Sequence, residues 1–504
     1  MSINEDSSTE TDQPSPTYTP SDWVVLKFGG TSVASPTRWK TIADQIRQRR
    51  KAGEKVFVVC SALSGVSNQL EALLRKIADG NNAEQEIAAL VKKHRDFAEQ
   101  MSLDADALIG DILEEVERLV EGASLIGGLT DELRARIMSC GELMSTRLGA
   151  AWLQAQGVEA QWRDARDMLV AVPAPIEASQ SRRYLSATCR YEPDEKLLSS
   201  LQADDTSIVV TQGFIASDDH DKTVLLGRGG SDTSASYFAA RLRARRLEIW
   251  TDVPGMFTTN PKDRPDARLL RTVSYEEAQV LAAMGARVLH PRCIPPVRDY
   301  GIPLHIRCTP EPDMDGTVIS AEAEEEETSI KAVSTRHKLM LIRLRCPGHW
   351  HLAGLLAEVT HVFKRHGLSI DLISNSPQLI SVTLDPAVSP LGPIERANLK
   401  RDLEEFGEPE FIEQVGSVSL VGSNIGMVLP KLSGGLEAMA AKRILMVSQA
   451  SGDDGLSFVL RPEDVDAVMN PLHDWLVGSS IPESVFGPSW ESLCGSYPAM
   501  AKSA

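Results

Sequence analysis

Two glycine pairs, each beside a cation, are the residues of this sequence whose types and spacing best suggest chemistry. Lys27 and Phe28 lead into Gly29-Gly30-Thr31-Ser32, and far downstream Arg228 leads into Gly229-Gly230-Ser231-Asp232. Glycines let backbone N–H groups come close to an anion, and a helix starting just after them adds partial positive charge. A P-loop places its lysine after the glycines, whereas Lys27 precedes them, so a cation is presented to phosphate in another way. Either turn alone is compatible with a tight strand-to-helix connection beside a surface cation. Together they describe a pocket for two anionic partners. Asp232 and Asp252 are carboxylates of the kind that orient a hydrated Mg²⁺. Glu142 follows Gly141 inside a helical pattern, where glycine costs of order 1 kcal/mol; spacing leaves it open to a ligand or to a solvated outer face. Phosphoryl transfer to an acidic acceptor fits this inventory, because it is mostly positioning and neutralisation.

The elements that must carry these residues read as an α/β fold. Val24 to Phe28, Lys55 to Cys60, Ser207 to Thr211, Leu247 to Val253 and Ile302 to Cys308 are short apolar runs of buried parallel-strand type. Small polar turns follow the first two, at the strand ends where ligands of open parallel sheets collect. Residues 84–121 and Asp131 to Trp152 carry helical stripes, with His94 read as a packed histidine. The acidic run at 321–328 marks a linker. After it, strands at 339–345, 369–374 and 379–384 with a helical stripe at 352–363 are followed by a second pass of similar order over 418–476, an internal repeat of β-α-β-β type. Residues 483–504 carry little pattern.

Bulk properties exclude several classes. A chain of 504 residues divides into several domains, and a net charge of −18 argues against nucleic-acid binding, which needs a basic face. Seven scattered cysteines, never in C-x-x-C spacing, fit a reducing cytoplasm without a disulfide framework or zinc knuckle. The first residues, rich in Ser, Thr, Pro and acids, read as a disordered leader over 1–21, and no apolar run is long enough for a membrane span. The sequence lacks a G-x-G-x-x-G fingerprint after its first strand, an H-E-x-x-H helix and a G-x-S-x-G elbow.

KFGGTSVA at 27–34, GELMST at 141–146, TQGFI at 211–215, GRGGSD at 227–232, WTDVPGMFTTNP at 250–261 and GARVLHP at 285–291 resemble, in order and spacing, the motif set of aspartate kinases. The C-terminal repeat resembles their paired ACT regulatory domains. The resemblance implies an amino-acid-kinase domain over 22–320 with an open, mainly parallel sheet and helices on both faces. An acidic linker at 321–335, two ferredoxin-like ACT domains at 336–415 and 416–480, and a tail at 481–504 follow. It implies transfer of the γ-phosphoryl of ATP to the β-carboxylate of L-aspartate, with Mg²⁺ held mainly through ATP, in a cytoplasmic homodimer or higher oligomer.

By motif, Lys27 neutralises the transferring phosphoryl, and Gly29, Gly30 and Ser32 line its loop. Arg228 grips the substrate α-carboxylate, Glu142 receives the α-ammonium, Ser67 and Gly229 to Ser231, including Gly230, seat aspartate, and Asp232 orients catalytic groups or assists the metal. Thr251, Asp252, Phe257, Lys262, Arg287 and Val288 border the nucleotide. Lys262 stands where the family often has arginine and Arg287 where it often has lysine, which keeps charge and changes geometry. The same resemblance implies an amino-acid effector, lysine or threonine or both, lined by Gly354, Leu355, Leu356, Ser369, Ile370 and Asp371. Ser374-Asn375-Ser376-Pro377 lacks the acid that lysine-sensitive relatives tend to carry after the serine. Rival readings are a kinase of this fold acting on another small anion, and a non-catalytic amino-acid sensor. Glu142 with Arg228 argues against the first, and retention of Lys27, Arg228 and Asp232 against the second.

Overall fold

The computed structural model describes residues 19–175, 179–286, 288–321, 329–346, 354–428, 439, 442–450, 452–478 and 484–497. The expected leader up to residue 18, Arg287 and the acidic run at 322–328 lie outside them.

β1 (Trp23–Phe28) has every residue buried, as its continuous apolar run demands. It leads through the first glycine turn to α1 (Pro36–Lys51), capped by Ser35, then to β2 (Lys55–Cys60) and α2 (Val66–Ala78). The single periodic stretch expected at 84–121 is two helices, α3 (Glu84–Gln100) and α4 (Ala105–Ile126), because Ser102 takes a left-handed φ of 58° between them and Asp104 caps the second. His94 is buried with Nδ1 2.9 Å from the Leu90 carbonyl, a packed core histidine. The long α5 (Asp131–Ala155) follows, its start capped by Thr130. After it come β3 (Gln161–Trp162), α6 (Gln180–Leu185), α7 (Glu195–Ala203), β4 (Ile208–Gln212), β5 (Ile215–Ser217) and β6 (Thr223–Leu225). Next are α8 (Gly230–Arg241), β7 (Arg246–Thr251), β8 (Arg268–Leu270), β9 (Thr272–Val273), α9 (Tyr275–Ala283), α10 (Ile294–Arg298), β10 (Leu304–Cys308) and β11 (Thr317–Ile319).

One sheet in the order β3-β4-β2-β1-β7-β10-β11-β9 organises this half. All pairings from β3 to β10 are parallel, and only β10 with β11 is antiparallel. The carboxyl ends of β1, β2, β4, β7 and β10 therefore share one edge. The turns after β2 and β4 flank the β1 turn on one side, and those after β7 and β10 on the other. This is the kind of strand-order switch at which α/β sheets bind ligands.

The second sheet has the order β13-β14-β12-β15-β17-β16, from β12 (Ser329–Arg345), β13 (Ile373–Ser376), β14 (Leu379–Leu384), β15 (Glu408–Ser423), β16 (Met446–Gln449) and β17 (Gly455–Leu460). Here the arrangement differs from a tandem repeat. β12 and β15 pair along their whole lengths, with register shifts near Arg336 to Leu341, so each long strand serves two units. Residues 329–335, expected as linker, pair with 418–423. The inner unit, built on the second half of β12 with α11 (Leu355–Arg365) and α12 (Pro393–Glu404), has its own core of Ile342, Leu344, Val359, Phe363, Val382 and Leu399. The outer unit, through Ile330, Val333, Val418, Leu420 and Leu472, is continuous with the core of the large sheet. The patternless stretch after 483 contains β18 (Phe486–Ser489), which pairs with β8, and a helix at Trp490–Ser496.

Candidate active site

A cavity of about 540 Å³ opens at the carboxyl ends of β1, β2 and β4. Lys27, Gly29, Gly30, Ser67, Glu142, Arg228, Gly229, Gly230, Ser231 and Asp232, all singled out in the sequence, line it together. Lys27 is fixed in β1 between Val59 of β2 and Ile249 of β7. Its ammonium bends back over the first turn, so that a Cβ on Gly29 would stand 3.5 Å from Nζ. The same Nζ lies 2.6 Å from Asp232 Oδ1, both side chains nearly buried. Asp232 sits in the first turn of α8, where the helix dipole also favours an acid. The two glycine turns thus meet through one ion pair.

Gly229 and Gly230 are required by close approach. Gly229 has φ +67°, and a Cβ there would come 2.2 Å from Cβ of His290; one on Gly230 would come 2.6 Å from the Phe214 ring. The GARVLHP segment thereby buttresses the arginine turn. Gly141 has a similar reason: its Cβ would press on Ala62 and Val66 at 3.1 Å, so α5 rides against the turn after β2. That approach delivers Glu142, which is buried and accepts from the Ala62 N–H at 3.3 Å. Burial pushes its carboxyl up to about 8, with the Ala62 N–H pulling the other way.

Of the other described residues expected at the nucleotide, Ser32, Thr251, Asp252, Phe257, Lys262 and Val288 are not part of this lining. Ser32 is buried with Oγ 2.7 Å from Thr309 Oγ1 and 3.4 Å from the Trp250 carbonyl, tying the first turn to the ends of β7 and β10. Thr251 and Asp252 lie at the end of β7, hydrogen-bonded to each other at 3.0 Å. Phe257 is packed edge-on to Trp490 at 5.6 Å in a satellite cluster, Lys262 is exposed, and Val288 packs on the main core.

The cavity also has walls not foreseen in the sequence: Ser61, Glu71, Arg134, Met138, Leu185 and Phe214. Arg134, Met138 and Glu142 are spaced four apart, one face of α5, which is a legible signal. Phe214 follows β4 with a left-handed φ of 69° that costs a non-glycine residue roughly 1–2 kcal/mol, and strain of this kind clusters at functional sites.

Sequence patterns of the Amino acid kinase family match residues 22–308. The chain is similar to Lysine-sensitive aspartokinase 3 of Escherichia coli, 32% identical over 473 residues that cover 90% of this chain and 99% of the relative. The chain belongs to the amino acid kinase family, among its aspartokinases. A bifunctional aspartokinase/homoserine dehydrogenase of Haemophilus influenzae is 30% identical over 85% of this chain, which spans about half of that relative's length, 53%. The crystal structure of E. coli aspartokinase III in complex with aspartate and ADP (R-state) matches this aspartokinase with a TM-score of 0.77 at 30% identity, covering 90% of this chain and 99% of that one. Its complex with lysine and aspartate (T-state) matches with a TM-score of 0.68 at 30% identity, covering 90% and 100%. The family match spans the large sheet and both turns, and the aspartokinase III match, over 90% of the chain, extends beyond it.

Proposed function

We propose that the chain transfers the γ-phosphoryl of ATP to the β-carboxylate of L-aspartate, giving 4-phospho-L-aspartate and ADP. The observation that carries this reading is the convergence of Glu142, Arg228 and the Lys27–Asp232 pair on one cavity. A free amino acid needs an acid for its ammonium and a guanidinium for its α-carboxylate, and Glu142 and Arg228 supply them. Ser67 and the backbone of Gly229 to Ser231 complete the seat. The β-carboxylate is then directed at the first turn, where Lys27 meets the charge of the transferring group. A carboxylate nucleophile is already ionised, so an oxygen–phosphorus bond forms as the bond to the ADP oxygen breaks, without a general base.

The nucleotide enters on the other side of β1, bordered by Thr251, Asp252, Phe257, Lys262, Arg287 and Val288, with Ser32 holding that turn to β7 and β10. Mg²⁺ fits the donor set as a nucleotide-borne ion: Asp232 lines the cavity paired with Lys27, whose ammonium lies over the phosphate turn, and Mg²⁺ characteristically combines one or two carboxylates with phosphates and water. Bound there, it would neutralise phosphate charge.

We assign the regulatory half to an amino-acid effector. Gly354, with φ +95°, opens α11 with Leu355 and Leu356, while Ser369, Ile370 and Asp371 run up to β13. Lysine, the ligand in the E. coli T-state complex, and threonine are the candidates. A homodimer through the regulatory sheets and a cytoplasmic location, the latter consistent with seven free cysteines of which six are buried, complete the reading. Among the described residues no helix is long and apolar enough to cross a membrane.

Coupled measurement of ADP release with L-aspartate, with N-acetylglutamate and with no acceptor tests the assignment. Release only with aspartate supports it. Release with N-acetylglutamate, or none with any acceptor, overturns it.

A further inference from the structure

The arginine expected to hold the substrate carboxylate is itself held from the regulatory half. Arg228 Nη2 donates to the carbonyl of Ala387 at 3.0 Å, in the turn that follows β14. That turn is organised by Asp385. Its Oδ1 accepts from the Ala387 N–H at 2.8 Å, and its carbonyl accepts from Val388 and Ser389 at 2.9 and 2.8 Å. Its Oδ2 accepts from Arg336 Nη2 at 2.9 Å, and the same nitrogen reaches Asp371 Oδ2 at 3.2 Å. One aspartate therefore shapes the turn with one oxygen and anchors it to β12 with the other.

β12 supports the other flank of Arg228 as well. Ser334 Oγ donates to the Met284 carbonyl at 2.8 Å. Gly285, at φ +118°, lies so close beneath Arg336 that an added Cβ would be 2.8 Å from Arg336 Cγ. Farther along the same segment, His290 packs on Gly229, next to Arg228. The Arg336 region thus abuts both supports of the arginine turn.

We propose that Arg336 and Asp385 are positioning residues for the substrate carboxylate: by fixing the turn that carries Ala387, they aim the Arg228 guanidinium into the cavity. This rests on the reading of Arg228 as the carboxylate grip. A guanidinium has five N–H donors, so one spent on a carbonyl leaves a fork for bidentate binding while removing rotational freedom. Asp371 shares the Arg336 guanidinium, so a ligand that takes up Asp371 alters the hold on Asp385 and, through it, on Arg228.

Steady-state kinetics of the full chain test this with Arg336→Gln, Arg336→Lys and Asp385→Asn. Arg336→Gln and Asp385→Asn are expected to raise KM for aspartate by about five- to tenfold, the size of losing one hydrogen bond's alignment. KM for ATP stays within about twofold, and Arg336→Lys recovers most of the aspartate affinity, since an ammonium can still bridge the two carboxylates. A merely structural role would lower the amount of active enzyme, and so kcat, without this split. An unchanged KM for aspartate in both charge-removing variants, a parallel rise in both KM values, or no recovery with lysine each overturns the inference. These outcomes are read against a parent with aspartate-dependent ADP release; a parent without it overturns the assignment of the site and this inference with it.

Discussion

Lys27 is the cation on which the proposed transfer depends most, because its ammonium stands between the phosphate turn and Asp232. Lys27→Ala is expected to lower kcat by about 10²- to 10³-fold, the usual range for losing one preorganised donor to transition-state charge. The melting temperature should stay close to the parent's, and unchanged turnover would contradict the role. Glu142 sets a pH dependence whose sign follows from its burial. Its carboxyl is pushed from 4.5 to about 8 in the ligand-free cavity, so it is mostly protonated at neutral pH and must lose that proton to receive an ammonium. Aspartate kcat/KM should therefore climb as pH rises through about 8, and Glu142→Gln should flatten the climb while weakening aspartate binding. A flat parent profile between pH 6.5 and 9 would count against this. The types of these residues were legible in the sequence because glycine pairs, a strand-end lysine and an acid beside a helical glycine are local patterns. The directions of their neighbours were not. Ser32 and Phe257 sit in the right motifs, yet one turns to Thr309 and the other to Trp490, and those contacts join residues far apart in the chain.

At the scale of elements, the turns work only because other segments press against them. Gly229→Ala combines a left-handed φ of 67° with a Cβ 2.2 Å from His290, so Arg228 and the start of α8 must shift. Loss of at least about 10²-fold in kcat/KM is expected from a displacement of order 1 Å at the reacting centre. Gly53 also has a positive φ, of 80°, but open space around it, so Gly53→Ala should cost only about 1 kcal/mol of stability and leave kcat/KM alone. Comparing the two separates strain from misplacement, and equal kcat/KM in both would sink the buttress argument. The parallel strands were readable as continuous apolar runs. The break between α3 and α4 was not, since Met101 and Leu103 continue the apolar content through a turn that a single left-handed serine makes.

For the whole molecule, the kinase sheet and the outer regulatory unit share one hydrophobic core. Lys331, at the start of β12, reaches Glu277 Oε2 in α9 at 2.8 Å with both side chains buried, and Ser423 of β15 donates to Oε1 at 2.9 Å. Removing one partner of such a pair leaves a buried charge uncompensated and costs about 3–5 kcal/mol. Lys331→Met should show that loss in denaturant unfolding, with a single transition for the sheet and the outer unit; two separated transitions in the parent would contradict a shared core. The repeat was visible in the sequence, but its nesting was not, because β12 and β15 each serve two units through pairings that span the inner unit's whole length. Periodicity reports which face of a strand is buried and carries no record of its partner. The most direct test of the central claim is a crystal structure of the full chain with L-aspartate and a non-hydrolysable ATP analogue. Aspartate is expected between Glu142 and Arg228, with its β-carboxylate facing a γ-phosphate beside Lys27. Aspartate or the phosphates bound away from the two glycine turns would contradict it.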